Sequence, residues 1–146
     1  MDRTLVICKP DAVERGLVGQ ILSRIEARTL RVVAAELRTI DKTVAGEHYG
    51  EHHGQPFYED LVTFITRGPS LILVVEGPKD TYAVVRNMMG ATNPAQAAPG
   101  TVRGDLAISM IENLIHGSDS PESAAREIAL FFPSVAGGLV SDGPGA

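Results

Sequence analysis

Apolar residues alternate along the chain between short continuous runs and three- or four-residue steps. Thr4 to Cys8 is a β-rich run, and Pro10, which cannot donate to a ladder, marks its exit. Val13, Leu17, Ile21, Leu22 and Ile25 recur at helical steps and predict one helix over Ala12–Ala27. Gly16 and Gly19 weaken its first turns. Leu30 to Ile40 predicts a second strand, and Asp41 and Thr43 are caps for a short helix through Tyr49. Phe57 to Thr66 predicts a helix stopped by Gly68-Pro69. Ser70 to Val75 is continuously apolar, the mark of a strand covered by helices on at least one face. After the turn Glu76-Gly77-Pro78, Asp80 caps a helix to about Met89. Gly90 to Gly104 is rich in Gly, Pro and Ala and lacks periodicity, which predicts a long functional loop. Asn113 to His116 is a final or edge strand. Ser120-Pro121 then reads as N-cap and first-turn proline of a helix that Pro133 stops. The element order predicts an α+β fold, a ferredoxin-like split βαβ sandwich with an antiparallel sheet. Residues 1–133 form its single domain and 134–146 a flexible tail.

Composition narrows the function classes. The chain has 146 residues, 44% of them hydrophobic and 21% charged, which describes one ordinary globular domain. A net charge of −5 argues against coating polymeric nucleic acid. Small anionic ligands remain open, because a few placed cations outvote a distant surface charge. The single cysteine, Cys8, fits a reducing compartment. No apolar run approaches the roughly 20 residues needed to span a bilayer. With no secretion signal in the opening residues, the expectation is a soluble, cytoplasmic protein without a membrane partner.

Four segments carry candidate chemistry. Lys9-Pro10-Asp11 can project an ammonium into a cleft, where phosphate is a natural partner. The stretch from Arg86 through Thr92 to Arg103 offers guanidinium groups, hydroxyls and glycines, a phosphate-binding inventory that is neither a Walker A loop nor a Gly-x-Gly-x-x-Gly turn. Arg103-Gly104-Asp105 also spells an adhesion tripeptide, which we read as coincidence. His116-Gly117-Ser118-Asp119-Ser120 places a nucleophilic imidazole at a strand end, and Glu127 lies about two helical turns beyond Ser120. His48 and His52 stand four apart, with His53 beside them, so a helix would align them as metal ligands. Gly50 and Gly54 weaken that helix.

Taken together, the segments resemble nucleoside diphosphate kinases. Lys9-Pro10-Asp11-Ala12-Val13, Glu47-His48-Tyr49, Gln55-Pro56-Phe57-Tyr58 and Gly90-Ala91-Thr92-Asn93-Pro94 carry the likeness, with Pro99-Gly100-Thr101-Val102-Arg103-Gly104-Asp105 and Asn113-Leu114-Ile115-His116-Gly117-Ser118-Asp119-Ser120. It runs from about Arg3 to Pro133. The resemblance implies ping-pong transfer of the γ-phosphoryl group from ATP to nucleoside diphosphates through a phosphohistidine on His116. It further implies that Lys9 contacts ribose and terminal phosphate, that Arg86, Thr92 and Arg103 hold the phosphates, and that Asn113 bonds the ribose. Tyr49 would stand beside His116 and Lys9, and Glu127 with Ser118 would orient the imidazole. Phe57 would stack on the base against Met110. Mg2+ would ride on the phosphates without a protein cage, and the chain would form a homo-oligomer, hexamer or tetramer. Departures include Met110 itself and Glu112, which stands where an Arg is frequent. The alternative is a nucleotide-binding regulatory module of the same fold without turnover.

Overall fold

Strand β1 (Asp2–Cys8) is apolar at consecutive positions because both of its faces are covered in the computed structural model, which describes residues 1–136. Val6 and Cys8 point into one core cluster, Leu5 and Ile7 into another on the opposite face. With β2 (Arg31–Arg38), β3 (Ser70–Gly77) and β4 (Ile115–Gly117) it forms a four-stranded sheet in the order β2-β3-β1-β4. Every pairing is antiparallel, with Leu5 opposite Val74 in β3 and Ile7 opposite His116 in β4. This is the split βαβ arrangement, with β3 inserted between β1 and β2.

Helices α1 (Pro10–Glu14) and α2 (Val18–Ala27) follow β1. The periodicity predicts one helix here, and the structure contains two. Gly16 at φ 69° interrupts the backbone, and the N–H of Leu17 donates to the Ala12 carbonyl across the break. Ile21 and Ile25 of α2 join Val85 and Met89 of α5 (Thr81–Met89) on the Val6–Cys8 face. The other face is closed by α3 (Lys42–His48), α4 (Tyr58–Ile65) and α7 (Pro121–Phe131), through Ala45, Val62, Ile65, Ile128 and Phe131.

The predicted caps hold at two helices and differ at a third. Asp41 accepts from the Val44 N–H, and Ser120 from the Ser123 N–H, each bond worth about 1 kcal/mol. Asp80 precedes α5 in a left-handed conformation, φ 62°, and its side chain caps nothing. Its N–H instead donates to the Asp2 carboxylate, and the Thr81 hydroxyl to the Pro78 carbonyl. The stretch expected to be a long loop, 90–104, contains a 3-10 turn over Pro94–Gln96 and the start of α6 (Val102–Leu106). Elements this short leave no periodic signal. Pro133 ends α7 and opens α8 (Pro133–Ala136), whose Val135 packs against the core. The first residues expected in the tail are thus helical, and 137–146 lie outside the described residues.

Among the described residues, no helix is long and apolar enough to cross a membrane. The turn between α2 and β2 carries a local cost. Thr29 sits at φ 60°, where a β-branched residue is strained by about 1–2 kcal/mol. Its hydroxyl recovers one bond, to the Arg28 carbonyl at 2.6 Å. Thr29→Gly relieves the strain and loosens the unfolded chain, so we expect a net gain of roughly 0.5–1 kcal/mol, read as a raised urea midpoint at constant m.

Candidate active site

Strand alternation decides where His116 points. Ile115 belongs to the Val6–Cys8 core, so His116, the next residue in β4, faces the side covered by α3 and α7. There its Nε2 lies 2.8 Å from Oε1 of Glu127 on α7. The Ser118 hydroxyl donates to the same oxygen at 2.7 Å and accepts from the Leu5 N–H. Burial alone would raise the Glu127 pKa. The hydrogen bonds from His116 and from the Ser118 hydroxyl oppose it, and the carboxyl is held below its ordinary value. An ionised carboxylate only accepts, so Nε2 carries the ring proton and Nδ1 keeps the lone pair. Among the described residues Nδ1 has no hydrogen-bond partner. Gly117 follows because α5 passes directly behind it: a Cβ there would stand 2.6 Å from the Met89 sulfur.

The residue two before His116 is strained. Leu114 adopts φ 75°, and the Ile115 N–H donates back to the Asn113 carbonyl at 2.9 Å, a three-residue turn that costs of order 1–3 kcal/mol. This turn delays the start of β4 to Ile115, two residues later than predicted. Several groups hold it in place. The Leu114 N–H donates to the buried Asp11 carboxylate, and its carbonyl accepts from the Lys9 N–H. Arg103 donates Nε to the Asn113 carbonyl, Nη2 to that of Ile115 and Nη1 to that of Gly90. Thr101 caps α6 through the Gly104 N–H and so sets Arg103 in the first turn.

These elements open onto a cleft of about 560 Å³ whose lining includes Lys9, Tyr49, Phe57, Arg86, Thr92, Arg103, Met110, Asn113, His116 and Glu127. Ser118 lies beneath it. Lys9 Nζ donates to Asn113 Oδ1 at 2.9 Å, while the Asn113 amide donates to the carbonyls of Met110 and Thr92. Arg86 donates to the Gly117 carbonyl at 2.8 Å. Phe57 and Met110 stand at the rim, 41% and 55% exposed, as apolar groups free to flank a planar ligand. Tyr49 is buried, and burial raises its phenol pKa, so it stays protonated.

The alignment of His48, His52 and His53 that a continuous helix would give does not form. The His52 ring packs on Tyr49 and Phe57, and that of His53 on Tyr58. His48 turns inward instead, with its ring edge-on to His116 at 4.6 Å between centroids. Sequence reasoning gave no role to Asp11, and its place before the strained turn depends on a contact 103 residues away. Asp119 also lines the cleft. Glu112 is held by Arg67, which reaches Glu14 as well.

A cleft with three basic side chains, an oriented imidazole and an apolar rim suits a phosphorylated ligand that carries a planar group. The family model described as "Nucleoside diphosphate kinase" matches residues 2–136, and the chain belongs to that family. It is 59% identical to the nucleoside diphosphate kinase of Thermomicrobium roseum over 90% of this chain and 88% of that relative. The Parafrankia enzyme is 57% identical over 92% and 97%. A halophilic nucleoside diphosphate kinase from Halobacterium salinarum, solved in complex with CDP, superimposes with a TM-score of 0.91 at 46% identity, over 98% of this chain and 93% of that one. The activity is therefore phosphoryl transfer between nucleoside tri- and diphosphates, and the family needs a divalent cation.

Burial, and secondarily the charge of Arg103, lower the Lys9 pKa to about 8. A lysine neutral in the folded state above pH 8 and charged in the unfolded state up to 10.5 makes stability rise across that window. The stability difference between Lys9→Met and wild type should be constant below about pH 8. It should then move in favour of wild type toward pH 10.5, as read by urea unfolding at each pH.

Proposed function

We propose that His116 is the nucleophile, acting through Nδ1, and that transfer is ping-pong with ATP as the usual donor. The observation that carries this reading is the Nε2–Glu127 bond at 2.8 Å, which fixes the tautomer and leaves Nδ1 as the free base in the cleft. In the first half-reaction the Nδ1 lone pair attacks the γ-phosphorus. An N–P bond forms, the bond from phosphorus to the bridging oxygen breaks, and the electron pair leaves with the nucleoside diphosphate. In the second, a terminal oxygen of the acceptor diphosphate attacks the phosphohistidine and restores the imidazole. Donor and acceptor anhydrides are nearly equal in energy, so a reactive phosphoramidate keeps both halves reversible.

The other side chains position and neutralise. Lys9 and Asn113 form one unit through their 2.9 Å bond, ready for ribose hydroxyl and terminal phosphate. Arg86, Thr92 and Arg103 take the phosphates. Three of the five N–H donors of Arg103 already serve carbonyls, which leaves two for the ligand. Phe57 and Met110 sandwich the base by its faces, a contact indifferent to base identity. Tyr49 walls the site beside His116. The divalent cation is Mg2+. The cleft sets Lys9, Arg86 and Arg103 against Glu127, which is bonded to His116 and Ser118, and the exposed carboxylates of Glu51 and Asp119. With no all-oxygen cage among these, the ion would be held on the phosphate chain and would neutralise its charge.

The protein acts in the cytoplasm, with 1–133 as the catalytic unit, and as a homo-oligomer of four or six chains. The edge strand β2 and the exposed Leu37 and Ile108, at 61% and 89%, are surfaces that assembly would cover.

Incubation with ATP and Mg2+ without acceptor should give an acid-labile, alkali-stable phosphoryl group on His116 that GDP discharges. Folded protein that forms none supports the regulatory module instead. Ser118→Ala should slow transfer by roughly fivefold, the worth of one hydrogen bond of about 1 kcal/mol, and Glu127→Gln by roughly tenfold or more, because the tautomer is lost. Stopped-flow rates of phosphoenzyme formation check both.

A further inference from the structure

His48 has no part in the transfer derived above, yet it is 96% buried by its 4% exposure, and its Nδ1 has no hydrogen-bond partner among the described residues. An orphaned polar atom of this kind is costly to bury and calls for a partner. The ring stands edge-on between His116 and Phe131. His48, His116 and Glu127 each bring one donor atom to within 4.8 Å of the other two. All three line the cleft, so a small ion has a way in.

We propose that His48, His116 and Glu127 form a binding site for a borderline transition-metal ion of the Zn2+ class, distinct in ligands from the divalent ion carried by the nucleotide, and that occupation silences the enzyme. Two imidazoles and a carboxylate are a donor set suited to zinc, which leaves a fourth position for water or a phosphate oxygen in the cleft. Zinc at about 2.0–2.2 Å from each ligand would set the donors roughly 3.4 Å apart, so side-chain rotations of an ångström or so close the site. Mg2+ demands six oxygens and is not accommodated by this set.

The protons balance without loss. The bond to Glu127 places the His116 ring proton on Nε2. When zinc takes the Nε2 lone pair toward Glu127, that proton passes through solvent to Nδ1. The nitrogen that attacks phosphorus is then capped. The unpartnered Nδ1 of the buried His48 leaves its ring with a nitrogen available to the metal. The Ser118 hydroxyl on Glu127 Oε1 is the outer contact that steadies the carboxylate ligand. Lys9, Arg86 and Arg103 oppose a bare dication, so an anion in the fourth position strengthens binding. Metal binding does not depend on the role given to His116, whereas the block of phosphorylation does.

The test is calorimetric titration of the full-length protein with Zn2+. We expect one equivalent per chain, affinity reduced roughly tenfold or more in His48→Gln and in Glu127→Gln, and unchanged affinity in the double variant His52→Gln, His53→Gln. Zinc added first should prevent phosphoenzyme formation, and chelation followed by Mg2+ should restore it. In wild type alone, Zn2+ but not Mg2+ should protect His116 from carbethoxylation, read by peptide mass, which keeps the proposal testable if a variant fails to fold. No uptake by folded protein, equal affinity in His48→Gln, or an unprotected His116 overturns the site. Zinc binding with protection, in protein that forms no phosphoenzyme even without zinc, would fault the nucleophile assignment and leave the metal site standing.

Discussion

A buried charge organises the catalytic half of this molecule. Glu127 is 4% exposed and ionised, a state that costs several kcal/mol unless its oxygens are bonded. His116 and Ser118 both bond Oε1, and Arg126 approaches Oε2 at 3.5 Å. Those contacts tie α7 to β4, and through the Leu5 N–H to the centre of β1. The sheet, the covering helix and the imidazole are therefore set by one carboxylate. Because it only accepts, it also decides which nitrogen of the ring is free. Structure and chemistry are here the same constraint.

A second network holds the loop that delivers His116. The left-handed Leu114 would relax without Asp11, Lys9 and Arg103, which come from α1, its leading edge and α6. Arg103 thus has two tasks, since the N–H groups that brace three carbonyls belong to the same fork that faces the cleft. Replacing it would loosen the Gly90 and Asn113 segments as well as remove a cation. The acidic total charge of the chain is no obstacle to an anionic ligand, because three cations line the one cleft where they count.

Much of this was legible in the residues. Continuous apolar runs marked β1 and β3 because both faces of each are covered, and Ser120-Pro121 marked the start of α7 because its cap is local. The family likeness pointed to His116, Glu127, Lys9 and the arginines, and the structure brings them to one cleft. The break between α1 and α2 was hidden because Val13 before Gly16 and Leu17, Ile21 and Ile25 after it keep helical spacing across the break. The short α6 and the strained Leu114 left no pattern, since neither spans a period. His48 was grouped with His52 and His53 by spacing alone, and the end of α3 sends it inward while its neighbours turn to Tyr49 and Tyr58. Positions set by long-range contacts, such as Asp11 on Leu114, have no local signature.

The central claim is that Glu127 fixes the His116 tautomer and so chooses the attacking nitrogen. Nitrogen-15 NMR of the phosphoenzyme tests it most directly, through coupling between the ring nitrogens and phosphorus. The account predicts phosphorus on Nδ1, with Nε2 still protonated and bonded to the carboxylate. Phosphorus on Nε2 would contradict it.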